Sequence, residues 1–246
     1  MLDFLSSNTV AVVIGASGGI GAALVEQLRA HTAVGSIVAS GHRSLPPAGA
    51  RIVPLKLDIT DETSVAALAQ SAAAMGEIRL VLVASGLLSS ADGIQPEKTW
   101  RALDATTLAR LFAVNSIGPA LVAKHFLPLL PRTGRAVFAA LSARVGSIED
   151  NRAGGWYGYR ASKAALNMLL KTLALELQRR APAALCVGLH PGTVDTALSR
   201  PFQSGVAAQK LFTPALSALH LLRVVEGLQA GDSGAVFAWD GTRVPA

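Results

Sequence analysis

A chain of 246 residues that is 51% hydrophobic and 15% charged suits one large globular domain, and this composition excludes long disordered stretches. Its single cysteine, Cys186, cannot form an internal disulfide, and its first residues lack the basic region of a signal peptide, so we expect a cytoplasmic protein. The formal net charge of +6 would suit nucleic acid, but the basic residues occur singly or in pairs with few aromatic residues, so we expect no nucleic-acid partner.

Seven short apolar runs alternate with longer helical patterns along the chain. The runs are nearly continuous in Val, Ile, Leu and Ala, as in strands buried on both faces of a sheet, and they cover residues 9–17, 35–41, 50–58, 78–86, 135–143, 184–192 and 234–240. Helical periodicity marks the segments 20–31, 61–75, 104–130, 158–180 and 213–229. The alternation predicts one doubly wound α/β domain over residues 1–246, a seven-stranded parallel sheet with helices on both faces.

Glycines cluster between the first strand and the first helix, in the stretch VVIGASGGIGAAL. Glycine lets the backbone turn tightly and approach a phosphate, and a helix N-terminus presents free N–H groups to it. Tight packing alone could also explain a glycine turn, but the position between a strand and an amphipathic helix favours a phosphate site. The predicted phosphate cradle comprises Gly15, Ser17, Gly18, Gly19, Ile20 and Gly21.

The end of the second strand bears on the choice of nucleotide. An NAD site would carry an acid there for the ribose hydroxyls, but the sequence VASGHRS has His42 and Arg43. A guanidinium pairs with a 2′-phosphate that a carboxylate would repel, so NADP(H) is favoured over NAD(H), with a solvated loop arginine as the alternative. After the third strand, Asp58 and its neighbour Ile59 could reach an adenine edge, or Asp58 could form a turn; the sequence leaves both open.

The only two tyrosines of the chain lie two positions apart, and a lysine follows them. On a helix, Tyr159 and Lys163 share a face because they are four residues apart, whereas Tyr157 points elsewhere. A nearby cation favours the phenolate and would lower the pKa of Tyr159, which could then serve as a general acid or base. An ordinary surface contact between neighbouring helical turns is the alternative.

Two polar residues accompany this pair. Ser142 lies at the carboxyl end of the fifth strand, where the loops of a parallel sheet converge. Asn115 shares the apolar stripe of the helix predicted over 104–130, so its amide is expected to be buried and hydrogen-bonded, for structural or functional reasons. The same helix contains the longest apolar run, 120–131, which Lys124, His125 and prolines interrupt, so we expect no membrane span.

Together, the glycine turn, Asn115, Ser142 and the Tyr159-Arg-Ala-Ser-Lys163 motif resemble the short-chain dehydrogenase/reductase family, with its Rossmann-type fold. The stretch 144–168 and the ending FAWDGTRVPA resemble its C-factor-like and sniffer-type carbonyl reductases. The resemblance implies transfer of a hydride between NADP(H) and a small carbonyl or alcohol. It implies a tetrad in which Tyr159 protonates the carbonyl oxygen, Ser142 orients that oxygen, Lys163 binds the nicotinamide ribose and lowers the pKa of Tyr159, and Asn115 holds a water.

The resemblance also implies further cofactor contacts and an assembly. The contacts would come from Pro191, Gly192, Thr193 and Val194, and from Ala84, Ser85 and Gly86. The family usually has Asn-Ala-Gly at the second of these places, which leaves the local support of that strand open. A homodimer or homotetramer would form on the helices that carry Asn115 and Tyr159.

The chain departs from the family pattern around its substrate side. Ser142 and Tyr159 are 17 positions apart, which is longer than usual, so the extra loop 144–155 is expected to shape the substrate entrance. Trp156 and Tyr157 would line the pocket or a subunit contact. The segment 194–212 is expected to form a lid, with an ordinary connection as the alternative. A cofactor-sensing or signalling protein on the same fold is the rival to an enzyme.

Overall fold

The protein, described here over residues 2–246 in a computed structural model, is built on a seven-stranded sheet. Its strands are β1 (Thr9–Ile14), β2 (Ser36–Gly41), β3 (Ile52–Lys56), β4 (Glu77–Val83), β5 (Ala136–Leu141), β6 (Ala184–His190) and β9 (Val236–Ala238). They lie in the order β3-β2-β1-β4-β5-β6-β9, and every neighbouring pair is parallel. The predicted Rossmann-like sheet is confirmed.

Helices cover both faces of the sheet because each strand buries side chains on both sides. Alternate residues of β1 enter opposite cores: Val10 and Val12 pack on one face, and Ala11 and Val13 pack on the other. The first core contains α2 (Glu62–Ala73), α4 (Gly118–Phe126) and α5 (Tyr157–Arg180), and the second contains α1 (Gly19–Ala30) and α6 (Pro214–Gly227). This two-sided burial explains the continuous apolar runs of the sequence.

The long helix predicted over 104–130 is interrupted at Asn115. α3 (Ala105–Phe112) passes into a π-helical turn (Ala113–Ile117) before α4, and a 3-10 turn (Leu127–Leu129) ends the run. An α-helix would pair the Asn115 carbonyl with the amide of residue 119, but residue 119 is a proline without an N–H. By length and composition alone this run could cross a membrane, yet its α4 residues Val122 and Phe126 are fully buried in the core.

All predicted strands except β2 extend too far at their carboxyl ends. β1 ends at Ile14 rather than residue 17, β4 at Val83 rather than 86, and β5 at Leu141 rather than 143. The chain leaves the sheet there because the following loops diverge to form a cleft. A second, two-stranded sheet of β7 (Thr193–Val194) and β8 (Leu211–Phe212), which the sequence did not predict, brackets the segment expected to be a lid.

Candidate active site

A cleft of about 1100 Å³ opens at the carboxyl ends of the parallel strands. The loops after β1, β2, β3 and β4, the end of β5, and α5 all contribute to its walls, as expected for a doubly wound sheet. The structure brings most of the predicted residues to this cleft: Gly15, Ser17, Gly18, Gly19, Ile20, Gly21, His42, Arg43, Asp58, Ile59, Ala84, Ser85, Gly86, Ser142, Tyr159, Lys163 and Pro191.

The glycine turn after β1 has no room for side chains. Gly15 has a φ of +82°, and a Cβ there would lie 2.8 Å from the Ser85 amide nitrogen. A Cβ on Gly21 would lie 2.1 Å from the Gly15 carbonyl oxygen. No side chain caps the N-terminus of α1, where Gly18 is the capping residue. The turn therefore presents backbone amides to the cleft, which fits the phosphates of a dinucleotide.

Asp58 forms a local turn and lines the cleft wall, and its contact with an adenine edge stays a prediction. Its Oδ1 accepts hydrogen bonds from the Thr60 amide at 2.9 Å and from the Thr60 hydroxyl at 2.6 Å. These two bonds, the hydroxyl's first, lower the pKa of the Asp58 carboxyl. His42 Nε2 lies 3.5 Å from Asp58 Oδ2, and the exposed Arg43 borders the same end of the cleft. This part of the cleft therefore carries two basic side chains, His42 and Arg43, and one aspartate whose carboxylate accepts hydrogen bonds from Thr60.

Tyr159 and Lys163 are buried side by side on α5, with 9% and 2% of their surfaces exposed. The Lys163 ammonium lies 5.8 Å from the centre of the Tyr159 ring and donates a hydrogen bond to the Leu141 carbonyl at 2.8 Å. Burial lowers the pKa of Lys163 to about 8 and raises the pKa of Tyr159 to about 12.

The expected lowering of the Tyr159 pKa is therefore wrong for this structure, because desolvation dominates and the ammonium faces the ring and the Leu141 carbonyl. A phenol with this pKa keeps its proton at neutral pH. That protonation state suits a group that donates a proton to an oxygen atom in the cleft.

Ser142 and Asn115 are held by different partners. The Ser142 hydroxyl donates to Asn167 Oδ1 at 2.6 Å, and its amide continues the β5–β6 pairing by donating to Leu189. Asn115 is fully buried behind the cleft rather than lining it. Its Oδ1 accepts from the Leu87 amide at 2.8 Å, and its Nδ2 donates to the Leu87 carbonyl at 2.7 Å. Asn115 thus supports the chain after β4, where the family's usual asparagine is missing.

The turn after β6 lies only partly at the cleft, and its contacts with a cofactor stay a prediction. Pro191 lines the cleft, but Gly192, Thr193 and Val194 are not among its lining residues. Gly192, with a φ of +77°, turns the chain away, and the next two residues pair with β8 instead. Thr196, which the sequence did not predict, also lines the cleft; its methyl group would lie 2.7 Å from a Cβ on Gly19.

A buried glutamate at the start of α5 was also missed. Glu97 is 4% exposed, and its Oε2 accepts a hydrogen bond from the Gly158 amide at 3.1 Å. Its carbonyl oxygen accepts from the Trp156 amide at 2.6 Å, where Trp156 precedes the helix with a φ of +53°. Glu97 therefore caps, from a distant loop, the helix that carries Tyr159. No local motif marks it, because Glu97 is 61 positions from Gly158.

Apolar side chains pack around Tyr159. The cluster contains Leu88, Ala143, Val145, Trp156, Leu198 and Phe202. The Trp156 ring lies 5.1 Å from the Phe202 ring and 6.2 Å from the Tyr159 ring, in edge-to-face contacts. Phe202 belongs to the segment between β7 and β8, so this segment already packs over the tyrosine. Among the residues that the structure describes, no cluster of three or more metal-binding side chains exists.

The fold and the cleft define a dinucleotide-binding α/β oxidoreductase. The family model for short chain dehydrogenases matches residues 9–207, and the chain belongs to the short-chain dehydrogenase family. It lies near the carbonyl reductases of that family and is an NAD(P)-dependent dehydrogenase or reductase.

Individual relatives agree with this assignment. The chain is 37% identical to the C-signal of Myxococcus xanthus over 149 residues, which are 59% of this chain and 84% of that protein. It is 30% identical to 1-hydroxy-2-glutathionyl-2-methyl-3-butene dehydrogenase of Rhodococcus sp. (strain AD45), over 94% of this chain and 96% of the relative. NADPH-bound carbonyl reductase from chicken fatty liver superposes with a TM-score of 0.82 at 25% identity, covering 98% and 95% of the two chains.

Proposed function

We propose that this enzyme reduces a small uncharged carbonyl compound to its alcohol with NADPH, and that Tyr159 is the proton donor. The observation that carries the proposal is a buried tyrosine at a cleft wall that also bears Ser142 and Lys163, where burial raises the pKa of the phenol to about 12. The apolar cluster around Tyr159 supports an uncharged substrate, because a charged group would lose its hydration there without a partner.

NADP(H) fits the cleft residue by residue. The amides of the Gly15–Gly21 turn would hold the pyrophosphate, and Arg43 with His42 would hold the 2′-phosphate. Lys163 would bind the nicotinamide ribose, and the loop Ala84–Gly86 would lie against the cofactor. When bound, the nicotinamide supplies or accepts the hydride. The NADPH in the chicken carbonyl reductase structure supports the phosphorylated cofactor.

Side chains of the protein would supply the proton and orient the carbonyl oxygen of the substrate. Ser142 would hydrogen-bond to the substrate carbonyl oxygen, and Tyr159 would donate its proton to the same oxygen. Lys163 remains beside the phenol and stabilises the phenolate that forms. The Asn115 side chain is occupied by Leu87, and its main-chain carbonyl has no amide partner four residues on, because residue 119 is a proline; this carbonyl would hold the water that resupplies the proton.

The segment 194–212 is proposed as the lid of a single domain that spans the chain. Contacts of its Phe202 with Trp156 and of its Thr196 with the glycine turn support a closing role. A homodimer built on α4 and α5 is proposed as well, because Ile117, Met168 and Leu175 are exposed along this part of the surface.

The second candidate function is signalling with little turnover. The name of the Myxococcus xanthus relative, C-signal, is the observation that favours it. The complete set of Asn115, Ser142, Tyr159 and Lys163 argues for chemistry instead, since a cofactor sensor would have no need of a buried proton donor.

The proposal is tested by following the oxidation of NADPH and NADH over a panel of aliphatic and aryl aldehydes and ketones. We expect turnover with NADPH and uncharged carbonyls. Arg43→Asp should weaken NADPH binding at least about tenfold and leave NADH nearly unchanged, because it replaces a partner of the 2′-phosphate with a like charge. An unchanged ratio of the two dissociation constants would contradict the cofactor preference, and absence of turnover with every carbonyl would favour signalling.

A further inference from the structure

Asn167 continues the stripe of α5 that carries Tyr159 and Lys163. Residues four apart on an α-helix are separated by about 40° around its axis, so these three side chains point towards the same strand ends. Consecutive residues at the end of β5 pair with consecutive turns of the helix. The Leu141 carbonyl accepts from Lys163 at 2.8 Å, and the Ser142 hydroxyl donates to Asn167 Oδ1 at 2.6 Å. Asn167 is thus the direct partner of the hydroxyl that would orient the substrate.

The number of protons in this contact limits what Ser142 can do. A serine hydroxyl carries one proton, and here Ser142 gives it to Asn167. A carbonyl oxygen can only accept a hydrogen bond, so Ser142 can orient a carbonyl substrate only by donating that same proton. The bond to Asn167 Oδ1 must therefore be exchanged whenever a carbonyl compound binds.

An asparagine side chain can allow this exchange because it carries a donor and an acceptor on one planar group. With the amide turned by half a rotation, Nδ2 would donate to Ser142 Oγ, and the serine proton would be free to point into the cleft. A carboxylate at position 167 could not do this. It would hold the serine proton in a charge-assisted bond, which is about twice as strong as a neutral one.

We propose that Asn167 is a positioning residue that sets the direction of the Ser142 hydroxyl. With Oδ1 towards the serine, the hydroxyl is turned away from the substrate; with Nδ2 towards it, the hydroxyl donates to the carbonyl oxygen. This inference rests on the proposed carbonyl reduction and adds to it a residue that acts through Ser142.

Several charged and titratable groups lie near the contact between Ser142 and Asn167. Along α5 they are Tyr159 and Lys163 on one side of Asn167 and Lys171 on the other. The adjoining end of β6 carries His190, whose electrostatic neighbours are Arg144 and Asp240. The wild-type pH profile contains the titration of all these groups, so each variant is compared with the wild type at the same pH.

The test uses Asn167→Asp, Asn167→Ala and, as a control that adds the same charge far away, Asn8→Asp. Asn8 is exposed and precedes β1, at the opposite end of the sheet. At pH 8 we expect Asn167→Asp to lower kcat for carbonyl reduction about 10- to 100-fold, the range of a lost hydrogen bond to a charged group. An aspartate stays ionised down to about pH 4, so we expect the same loss at pH 6.

Asn167→Ala should lower kcat about three- to tenfold at every pH. The Ser142 hydroxyl then loses the partner that sets its direction, but no carboxylate holds its proton. Asn8→Asp should match the wild type, and thermal melts show whether each variant is folded. Asn167→Asp with wild-type kcat at pH 8, or with a loss no larger than that of Asn167→Ala, would overturn the proposal. If Asn167→Asp does not fold, the proposal is tested by Asn167→Ala alone. A decrease of kcat by less than twofold in that variant would overturn the proposal.

A binding measurement separates this inference from the proposed function. Acetophenone is titrated into the protein with NADP⁺ present, and its dissociation constant is measured by calorimetry at pH 8. Weaker binding to Asn167→Asp than to Asn167→Ala would support the role of Asn167 even if the wild type turned over no carbonyl. Equal binding by wild type and Asn167→Asp would overturn it.

Discussion

His190, at the end of β6, makes the folded protein sensitive to acid. Its Nδ1 is buried without a hydrogen-bond partner among the described residues. Burial, followed by the nearby Arg144 guanidinium, lowers the pKa of His190 to about 4 from an ordinary value of 6.5. The unfolded chain therefore binds a proton between pH 6.5 and 4 that the folded protein does not. Stability is complete above pH 6.5 and falls as the pH approaches 4.

The size of this effect follows from the two pKa values. The full shift corresponds to an upper limit of about 3 kcal/mol, and about 2 kcal/mol of it should be lost between pH 7.5 and pH 5. Urea unfolding at these two pH values should show a fall in midpoint of roughly 0.7–1 M, for an m-value of about 2–3 kcal/mol/M. His190→Gln cannot titrate and should remove this part of the fall.

The control is His125→Gln, the same exchange on α4. It should keep the wild-type dependence on pH, since it leaves His190 in place. Parallel stability curves for wild type and His190→Gln between pH 7.5 and 5 would refute the reasoning, because they would show that His190 titrates alike in the folded and unfolded chains.

Two further predictions concern the parts that shape the cleft. Gly21→Ala should abolish dinucleotide binding, because its Cβ would lie 2.1 Å from the Gly15 carbonyl oxygen, whereas Gly231→Ala, in open space, should bind normally in a calorimetric titration; equal affinities would contradict the cradle. Glu97→Ala should lower the free energy of unfolding by about 2 kcal/mol and reduce turnover, since the Gly158 amide loses its buried acceptor. Glu97→Gln keeps an acceptor and should retain most of both, and a Gln variant as damaged as the Ala variant would argue against the capping role.

The sheet was predictable because each strand is marked by its own short apolar run, and this pattern repeats along the chain. Strands buried on both faces read as continuous apolar runs, so the seven runs and their order along the chain identified the fold. Except for β2, their carboxyl ends were placed two or three residues too late. The first loop residues, such as Ala84, Ser85 and Ala143, are small or apolar like the strands before them, and only the diverging loops reveal the boundary.

The residues that act through contacts distant in sequence could not be predicted. Glu97 meets α5 across 61 positions, and Asn167 meets Ser142 across 25. The pKa of Tyr159 was expected to fall because the sequence shows the neighbouring lysine but not the burial, which acts in the opposite direction.

Some of the arginines that make the net charge positive bind main-chain carbonyls within the fold, which the sequence does not show. Arg51 donates to the carbonyls of His31 and Val34 after α1, and Arg180 donates to those of Leu127 and Pro128. These two guanidinium groups stabilise the segments that follow α1 and α4 within the fold itself. A count of arginines therefore does not indicate a charged partner.

The central claim is that Tyr159, and not its neighbour Tyr157, donates the proton. The most direct measurement is kcat for NADPH-dependent carbonyl reduction by Tyr159→Phe and Tyr157→Phe, with NADPH affinity measured in parallel. Each variant loses one hydroxyl from the same turn of α5, so the pair is matched in chemistry and in position. We predict that Tyr159→Phe lowers kcat at least about 100-fold while still binding NADPH, consistent with the size of general acid catalysis. Tyr157→Phe should stay within about threefold of wild type, and equal losses in the two variants would contradict the claim.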